Sequence, residues 1–164
     1  MITARTDSVQ DTWKLAGEVA GFLEPSDIVL LAGDLGAGKT AFTQGLGKAL
    51  GIDEHITSPT FVLMRTYKAA LPLHHVDVYR LDQLQEIIDL GLLELLDEGG
   101  VAVIEWGDLA VPILPRDFLI IEINRVDDDD LGRVWQFRGA GARWAQRFAS
   151  LEAALLPWSQ GTAS

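Results

Sequence analysis

The pattern of apolar positions alternates between helix-like and strand-like segments along the chain. Two short runs, at 28–32 and 101–104, are wholly apolar, which is typical of strands buried on both faces of a parallel sheet. Apolar side chains recur at helical intervals in four other segments. The predicted helices span 11–23, 41–50, 81–97 with a break at Gly91, and about 140–157.

Four further segments look extended and are expected to pair as hairpins. Residues 60–67 and 73–79 are separated by a short link, and residues 118–123 and 133–138 flank the acidic turn 127–130. At 164 residues the chain has the length of one domain. The pattern therefore predicts a single α/β domain with a mostly parallel central sheet, an antiparallel portion and flanking helices.

Composition and charge exclude several classes of function. Thirteen Lys plus Arg against 24 Asp plus Glu give a net charge of −11, which disfavours a direct grip on nucleic acid or on an anionic membrane. No cysteine is present, so disulfides, cysteine-bound metals and thiol nucleophiles are ruled out. No apolar run approaches the ~20 residues of a membrane span. Residues 1–10 lack the signal-peptide pattern, and we expect a cytoplasmic protein.

A glycine-rich loop follows the first apolar run. Its sequence, GDLGAGKT at 33–40, matches the phosphate-binding pattern G-x-x-x-x-G-K-[ST] in full, between a predicted strand and a predicted helix. Glycines let backbone amides surround a phosphate, and the helix directs its positive end at the same anion. Lys39 is expected to reach the β and γ phosphates, and the Thr40 hydroxyl to bind Mg²⁺. The residues expected to contact nucleotide here are Gly33, Leu35, Gly36, Ala37, Gly38, Lys39, Thr40 and Ala41.

A carboxylate at the end of a second buried strand is the usual partner of such a loop. Glu105 ends the apolar run VAVIE and is the candidate for binding Mg²⁺. The alternative is a solvent-facing glutamate at a strand end. Because a phosphate-binding loop is already present, the pattern favours Mg²⁺ binding by Glu105.

Several polar residues near the predicted strands leave alternatives open. Asp77 lies in an otherwise apolar stretch, so it either serves the metal or the attacking water, or pairs with a neighbouring basic group. Arg80 is more often a solvated or salt-bridged residue than a phosphate contact. His74 and His75 favour core or hydrogen-bonding roles over metal binding. Ser58 and Thr60 flank a proline in TSPTF, which is either a loop that senses nucleotide or a plain turn.

Taken in order, GDLGAGKT, TSPTF, HHVDVYRL and IEWGD resemble the bacterial TsaE (YjeE) family over roughly residues 8–138. The resemblance implies a P-loop ATPase that uses ATP and Mg²⁺. It also implies that the protein binds the partner proteins TsaB and TsaD, which form threonylcarbamoyladenosine at position 37 of tRNAs reading codons that begin with A. Contact with the tRNA would then be indirect, through these partners, and no membrane is involved.

The resemblance also assigns residues by motif. It implies catalytic roles for Lys39, Asp77 and Glu105, with Thr40 and Glu105 on the metal. It adds Thr12 and Arg133 as nucleotide contacts, and it puts Ser58 and Thr60 in a switch-like loop. Partner-binding or structural roles fall on Tyr79, Arg80 and Trp106. The predicted helix at about 140–158 extends beyond the usual family core.

Two other functions compete with this one. A small-molecule kinase usually needs a basic lid, and no arginine-rich lid segment is visible. A nucleotide-dependent switch protein without catalysis is the other, although the guanine-specific N-K-x-D sequence does not occur.

Overall fold

A seven-stranded sheet with helices on both faces forms the protein. A computed structural model describes residues 1–59, 62–78, 80–105 and 108–160. The strands are β1 (Ile2–Thr6), β2 (Ile28–Ala32), β3 (Met64–Tyr67), β4 (Leu73–Asp77), β5 (Val101–Glu105), β6 (Phe118–Val126) and β7 (Asp129–Ala140). The helices are α1 (Val9–Ala20), α2 (Lys39–Ala49), α3 (Leu81–Asp89), α4 (Leu92–Asp97) and α5 (Ala142–Ala154). Short 3₁₀ helices span Asp108–Ile113 and Leu156–Trp158.

The strand order is β1-β7-β6-β2-β5-β4-β3. The four inner strands β6, β2, β5 and β4 run parallel, whereas β3, β7 and β1 pair antiparallel with their neighbours. This confirms the predicted α/β class with a parallel centre and an antiparallel portion. Because β2, β5 and β4 are parallel, their carboxyl ends meet at one edge of the sheet, where ligand sites of such folds lie.

Alternate side chains of the apolar strands fill two cores, one on each face of the sheet. On one face, Leu31 packs in a cluster with Leu15 of α1, Phe42 of α2 and Trp144 of α5. On the other face, Leu30 packs in a cluster that includes residues of α3 and α4. Strands buried on both faces explain why β2 and β5 read as continuous apolar runs.

Two local features differ from the sequence-based expectation. The chain begins with a strand, β1, at the edge of the sheet beside β7, and the sequence pattern did not predict it. Helix α1 begins earlier than expected, and its N-cap is Ser8, whose Oγ accepts a hydrogen bond from the Asp11 amide at 3.0 Å. The helix predicted from residue 11 therefore starts two residues earlier, at Val9. No helix within the described ranges is long and apolar enough to cross a bilayer.

Candidate functional site

The loop between β2 and α2 forms the floor of a cavity of about 720 Å³ at the carboxyl edge of the sheet. Its last glycine, Gly38, is the N-cap of α2 and has a left-handed backbone with φ of +116°. An L side chain rarely adopts this conformation, so the turn that leads into the helix requires glycine. The amino end of the eleven-residue helix α2 thus lines the cavity and favours an anion there.

Lys39, the first residue of α2, lies folded back over the loop. Its Nζ donates hydrogen bonds to the carbonyl oxygens of Gly33, at 2.6 Å, and Asp34, at 3.1 Å. Lys39 also lines the cavity. The ammonium group is therefore held beside the surface that the backbone amides of the loop would offer to a phosphate.

Two carboxylates at the ends of adjacent parallel strands also line the cavity. Asp77 ends β4, Glu105 ends β5, and the two residues are direct neighbours in the sheet register. Glu105 is 5% exposed, and its Oε1 lies 3.5 Å from the Thr40 hydroxyl. Asp77 accepts a hydrogen bond from Ser58 Oγ at 2.7 Å. The fold thus brings together four of the residues that the sequence singled out.

The chemistry of this donor set fits Mg²⁺ bound to a nucleotide. Three carboxylates, of Asp34, Asp77 and Glu105, line the cavity against one ammonium, of Lys39, so bare phosphates would meet net negative charge. A divalent cation between carboxylate and phosphate removes that repulsion. Within the described ranges there is no cluster of three or more protein ligands for a metal. Mg²⁺ usually takes one or two carboxylates, with phosphates and water completing its shell, and Thr40 with Glu105 fit that pattern.

Two arginines of the β6–β7 hairpin support the loop from outside the cavity. Arg133 Nε donates a 2.7 Å hydrogen bond to the Ala37 carbonyl oxygen. Arg125 Nη2 lies 3.2 Å from the Gly36 carbonyl oxygen. The two arginines are cross-strand neighbours, so both reach the same loop. The resemblance named Arg133, but sequence reasoning missed Arg125, because no local pattern marks an arginine whose contact lies 89 residues earlier.

Other predicted residues lie outside the cavity. Thr12 is buried in α1, and its hydroxyl lies 3.0 Å from that of Thr6, which accepts a hydrogen bond from Trp135 Nε1 at 2.9 Å. Its role as a nucleotide contact stays a prediction. Arg80 is the N-cap of α3, and its exposed side chain lies 3.6 Å from Asp82, the solvated and paired arrangement that the sequence favoured.

Three predicted site residues fall outside the described residues, namely Thr60, Tyr79 and Trp106.

The two histidines of β4 are both buried. His74 Nδ1 lies 2.9 Å from the Thr66 hydroxyl, and burial lowers the pKa of His74 while the charge of Glu98 acts in the opposite direction. His74 therefore has the hydrogen-bonding role that the sequence favoured.

The sheet has a parallel centre, a GDLGAGKT loop before α2, and carboxylates on the strands next to that loop. These features define the class as a single-domain P-loop NTPase fold. The family model described as threonylcarbamoyl adenosine biosynthesis protein TsaE matches residues 6–134. The chain belongs to the TsaE family, whose members act in tRNA threonylcarbamoyladenosine biosynthesis. Helix α5 lies beyond the matched residues, and its standing as an addition to the family core stays a prediction.

Individual relatives agree with this family. The tRNA threonylcarbamoyladenosine biosynthesis protein TsaE of Bacillus subtilis is 42% identical over 141 residues, covering 85% of this chain and 87% of the relative. The protein of the same name from Treponema pallidum is 44% identical over 121 residues, covering 74% and 90%. A crystal structure of Bacillus subtilis YdiB superposes with a TM-score of 0.75 at 37% identity, covering 93% of this chain and 94% of that one.

Proposed function

We propose that this chain is an ATP hydrolase that binds a complex of TsaB and TsaD and supports its turnover in threonylcarbamoyladenosine formation on tRNA. The observation that carries the proposal is the 3.5 Å approach of the Thr40 hydroxyl, at the start of α2, to the buried carboxylate of Glu105. P-loop proteins hold Mg²⁺ with the Ser or Thr hydroxyl of the loop and a strand-end carboxylate. The names of the relatives support the pathway.

The residues of the cavity have separate roles in the proposed hydrolysis. Loop amides and Lys39 bind the phosphates, and Thr40 with Glu105 hold the cation. When bound, Mg²⁺ neutralises charge that develops on the phosphate oxygens. Asp77, whose Oδ2 accepts a hydrogen bond from Ser58, orients water at the cavity, whether that water binds the cation or attacks the phosphate. Arg133 and Arg125 keep the loop carbonyls turned away from the anion.

The partners complete the proposal. A net charge of −11 disfavours direct binding of tRNA. TsaB and TsaD would therefore bind the RNA, and this subunit would act on those two proteins. Hydrolysis by the subunit alone is then expected to be feeble. The proposed site of action is the cytoplasm, where the tRNA substrates are found.

The test is tRNA modification reconstituted with TsaB, TsaD, tRNA and ATP. Lys39→Ala and Glu105→Gln are each expected to reduce product formation by roughly 100-fold or more, since each removes a group that stabilises phosphate charge. Lys48→Ala is the matched control, because Lys48 is an exposed lysine near the other end of the same helix. Modification at the wild-type rate by Lys39→Ala would refute the proposal. Phosphorylation of a metabolite by the isolated protein would instead favour a small-molecule kinase.

A further inference from the structure

His75 is a buried histidine in the middle of β4 that the proposed function does not use. Its side chain is fully buried, and neither ring nitrogen forms a hydrogen bond within the described part of the chain. The carboxylate of Glu105 lies beside it, with Oε2 3.5 Å from His75 Nε2. Buried polar groups are almost always hydrogen-bonded, so an imidazole in this position needs an explanation.

The sheet register shows how the two side chains meet. In the parallel β4–β5 pair, Asp77 is opposite Glu105 and His75 is opposite Val103. All four side chains therefore point to the same face, and His75 lies one pleat deeper in the protein than the two carboxylates. Glu105 consequently has the imidazole near Oε2, on its buried side, and the Thr40 hydroxyl near Oε1.

We propose that His75 is a positioning residue for Glu105. Its ring Nε2–H directs one carboxylate oxygen inward, so that the other faces Thr40 and the magnesium site. This inference rests on the proposed function, because it assigns Glu105 to the metal. A carboxylate without such a partner rotates and presents either oxygen, and polar partners behind metal ligands commonly contribute about 10- to 100-fold to metal affinity.

The buried environment supports this arrangement. Both side chains are shielded from bulk water, with Glu105 5% exposed and His75 fully buried, so solvent does not replace the imidazole as a donor. Both contacts of the carboxylate are 3.5 Å long, and contacts of this kind commonly shorten when the ligand enters the site. Cation binding is expected to draw Glu105 into a fixed position between the two donors.

The test measures nucleotide binding by calorimetry across a series of Mg²⁺ concentrations, with an EDTA control. His75→Leu removes the donor, whereas His75→Gln keeps an amide nitrogen near the position of Nε2. His74→Leu is the matched control, because it removes the adjacent buried histidine, on the other face of the strand. We expect His75→Leu to raise the Mg²⁺ concentration for half-maximal tight binding about 10- to 100-fold. Binding in EDTA should not change, and His75→Gln and His74→Leu should stay within a few-fold of wild type.

Three outcomes would overturn the inference. The first is an unchanged Mg²⁺ dependence in His75→Leu, and the second is an equal loss of affinity with and without Mg²⁺, which would indicate a packing role. The third is a further loss of Mg²⁺-dependent nucleotide affinity when His75→Leu is added to Glu105→Gln. A residue that acts only through Glu105 should have no effect once that carboxylate has been removed. Thermal unfolding without ligand checks the fold, and His75→Gln tests the donor if His75→Leu is unfolded. Wild type without Mg²⁺-dependent binding would refute the proposed function, and this inference with it.

Discussion

The guanidinium group of Arg125 lies against the backbone of Gly36, with Nη2 3.2 Å from the Gly36 carbonyl oxygen. A Cβ atom added at Gly36 would be only 2.5 Å from that nitrogen. The φ of Gly36 is +76°, a left-handed conformation that side chains rarely adopt. The backbone of this loop residue therefore favours glycine, and a larger residue would also have to displace the Arg125 side chain.

Substitution of Gly36 by alanine should weaken nucleotide binding as well as stability. The left-handed backbone is expected to cost about 1 kcal/mol of unfolding free energy, and the new methyl group must displace Arg125 from the loop. Gly51→Ala is the matched control, because Gly51 has a φ of +85° and open space where the alanine methyl group would lie. Urea unfolding should show a similar cost in both variants, and nucleotide titration a loss of affinity in Gly36→Ala alone. Equal affinity in the two variants would show that the arginine contact does not matter for binding.

Helix α5 is fastened to the core by a buried ion pair. Asp27 is 1% exposed, and Arg147 donates to its two carboxylate oxygens at 2.6 and 2.9 Å. Arg147→Met should lower the free energy of unfolding by about 2–3 kcal/mol, because the buried carboxylate loses both of these hydrogen bonds. It keeps the hydrogen bond from the Glu24 amide and the Nη2 of Arg143, which lies 3.5 Å from Asp27 Oδ1. Arg138→Met, which removes an exposed arginine 3.8 Å from Glu122, should cost less than about 1 kcal/mol. Similar losses in the two variants, measured by urea unfolding, would contradict this role for Arg147.

Thr12 offers a test of a residue named by family resemblance alone. Its hydroxyl joins a buried chain of hydrogen bonds with Thr6 and Trp135. Thr12→Val should therefore lower stability by about 1–2 kcal/mol, whereas Thr12→Ser keeps the hydroxyl and should cost less. If the hydroxyl serves only this chain of hydrogen bonds, nucleotide affinity should stay within about two-fold of wild type. A large loss of affinity in Thr12→Val with normal stability would instead support a nucleotide contact.

Burial of His74 should make stability depend on pH near neutrality. Its folded-state pKa lies below the ordinary value of 6.5, because burial disfavours the charged ring. As the pH falls, His74 therefore binds a proton at a higher pH in the unfolded chain than in the folded protein. The stabilising contribution is present above about pH 6.5 and is lost as the pH falls through the folded-state value.

Urea unfolding between about pH 8 and about pH 5 measures this contribution. His74→Asn places an amide near the position of Nδ1, so it can keep the Thr66 hydrogen bond without a titrating ring. The variant should lose less stability than wild type over this range. Parallel profiles would show that His74 contributes nothing to the pH dependence.

The parts of the site that could be predicted from the sequence are those that short, contiguous motifs encode. The loop residues and Lys39 lie within eight positions, and a carboxylate at the end of an apolar run marked Glu105. The two wholly apolar runs indicated β2 and β5, because strands covered on both faces leave no polar positions. The break at Gly91 likewise separated α3 from α4.

The features that sequence reasoning missed depend on contacts between distant segments. In β1, Ile2, Ala4 and Thr6 are buried. Alternation over only five residues, with one large apolar side chain, is too weak to indicate a strand without knowledge of its partner. Arg125 reads as an ordinary exposed residue of β6 until the hairpin is folded against the loop. The contact of His75 with Glu105 follows from the β4–β5 register, which no local pattern specifies.

During protein synthesis, the phosphate-binding loop is made well before the residues that contact it. The loop at 33–40 leaves the ribosome early, but the arginines that hold its carbonyls arrive about 90 residues later, on β6 and β7. The first strand, β1, also pairs with the last strand, β7. A nascent chain that ends before β7 therefore carries the complete phosphate-binding motif without the Arg133 contact to the Ala37 carbonyl oxygen. The phosphate-binding loop and the first strand therefore gain these contacts only after the last strand has been synthesised.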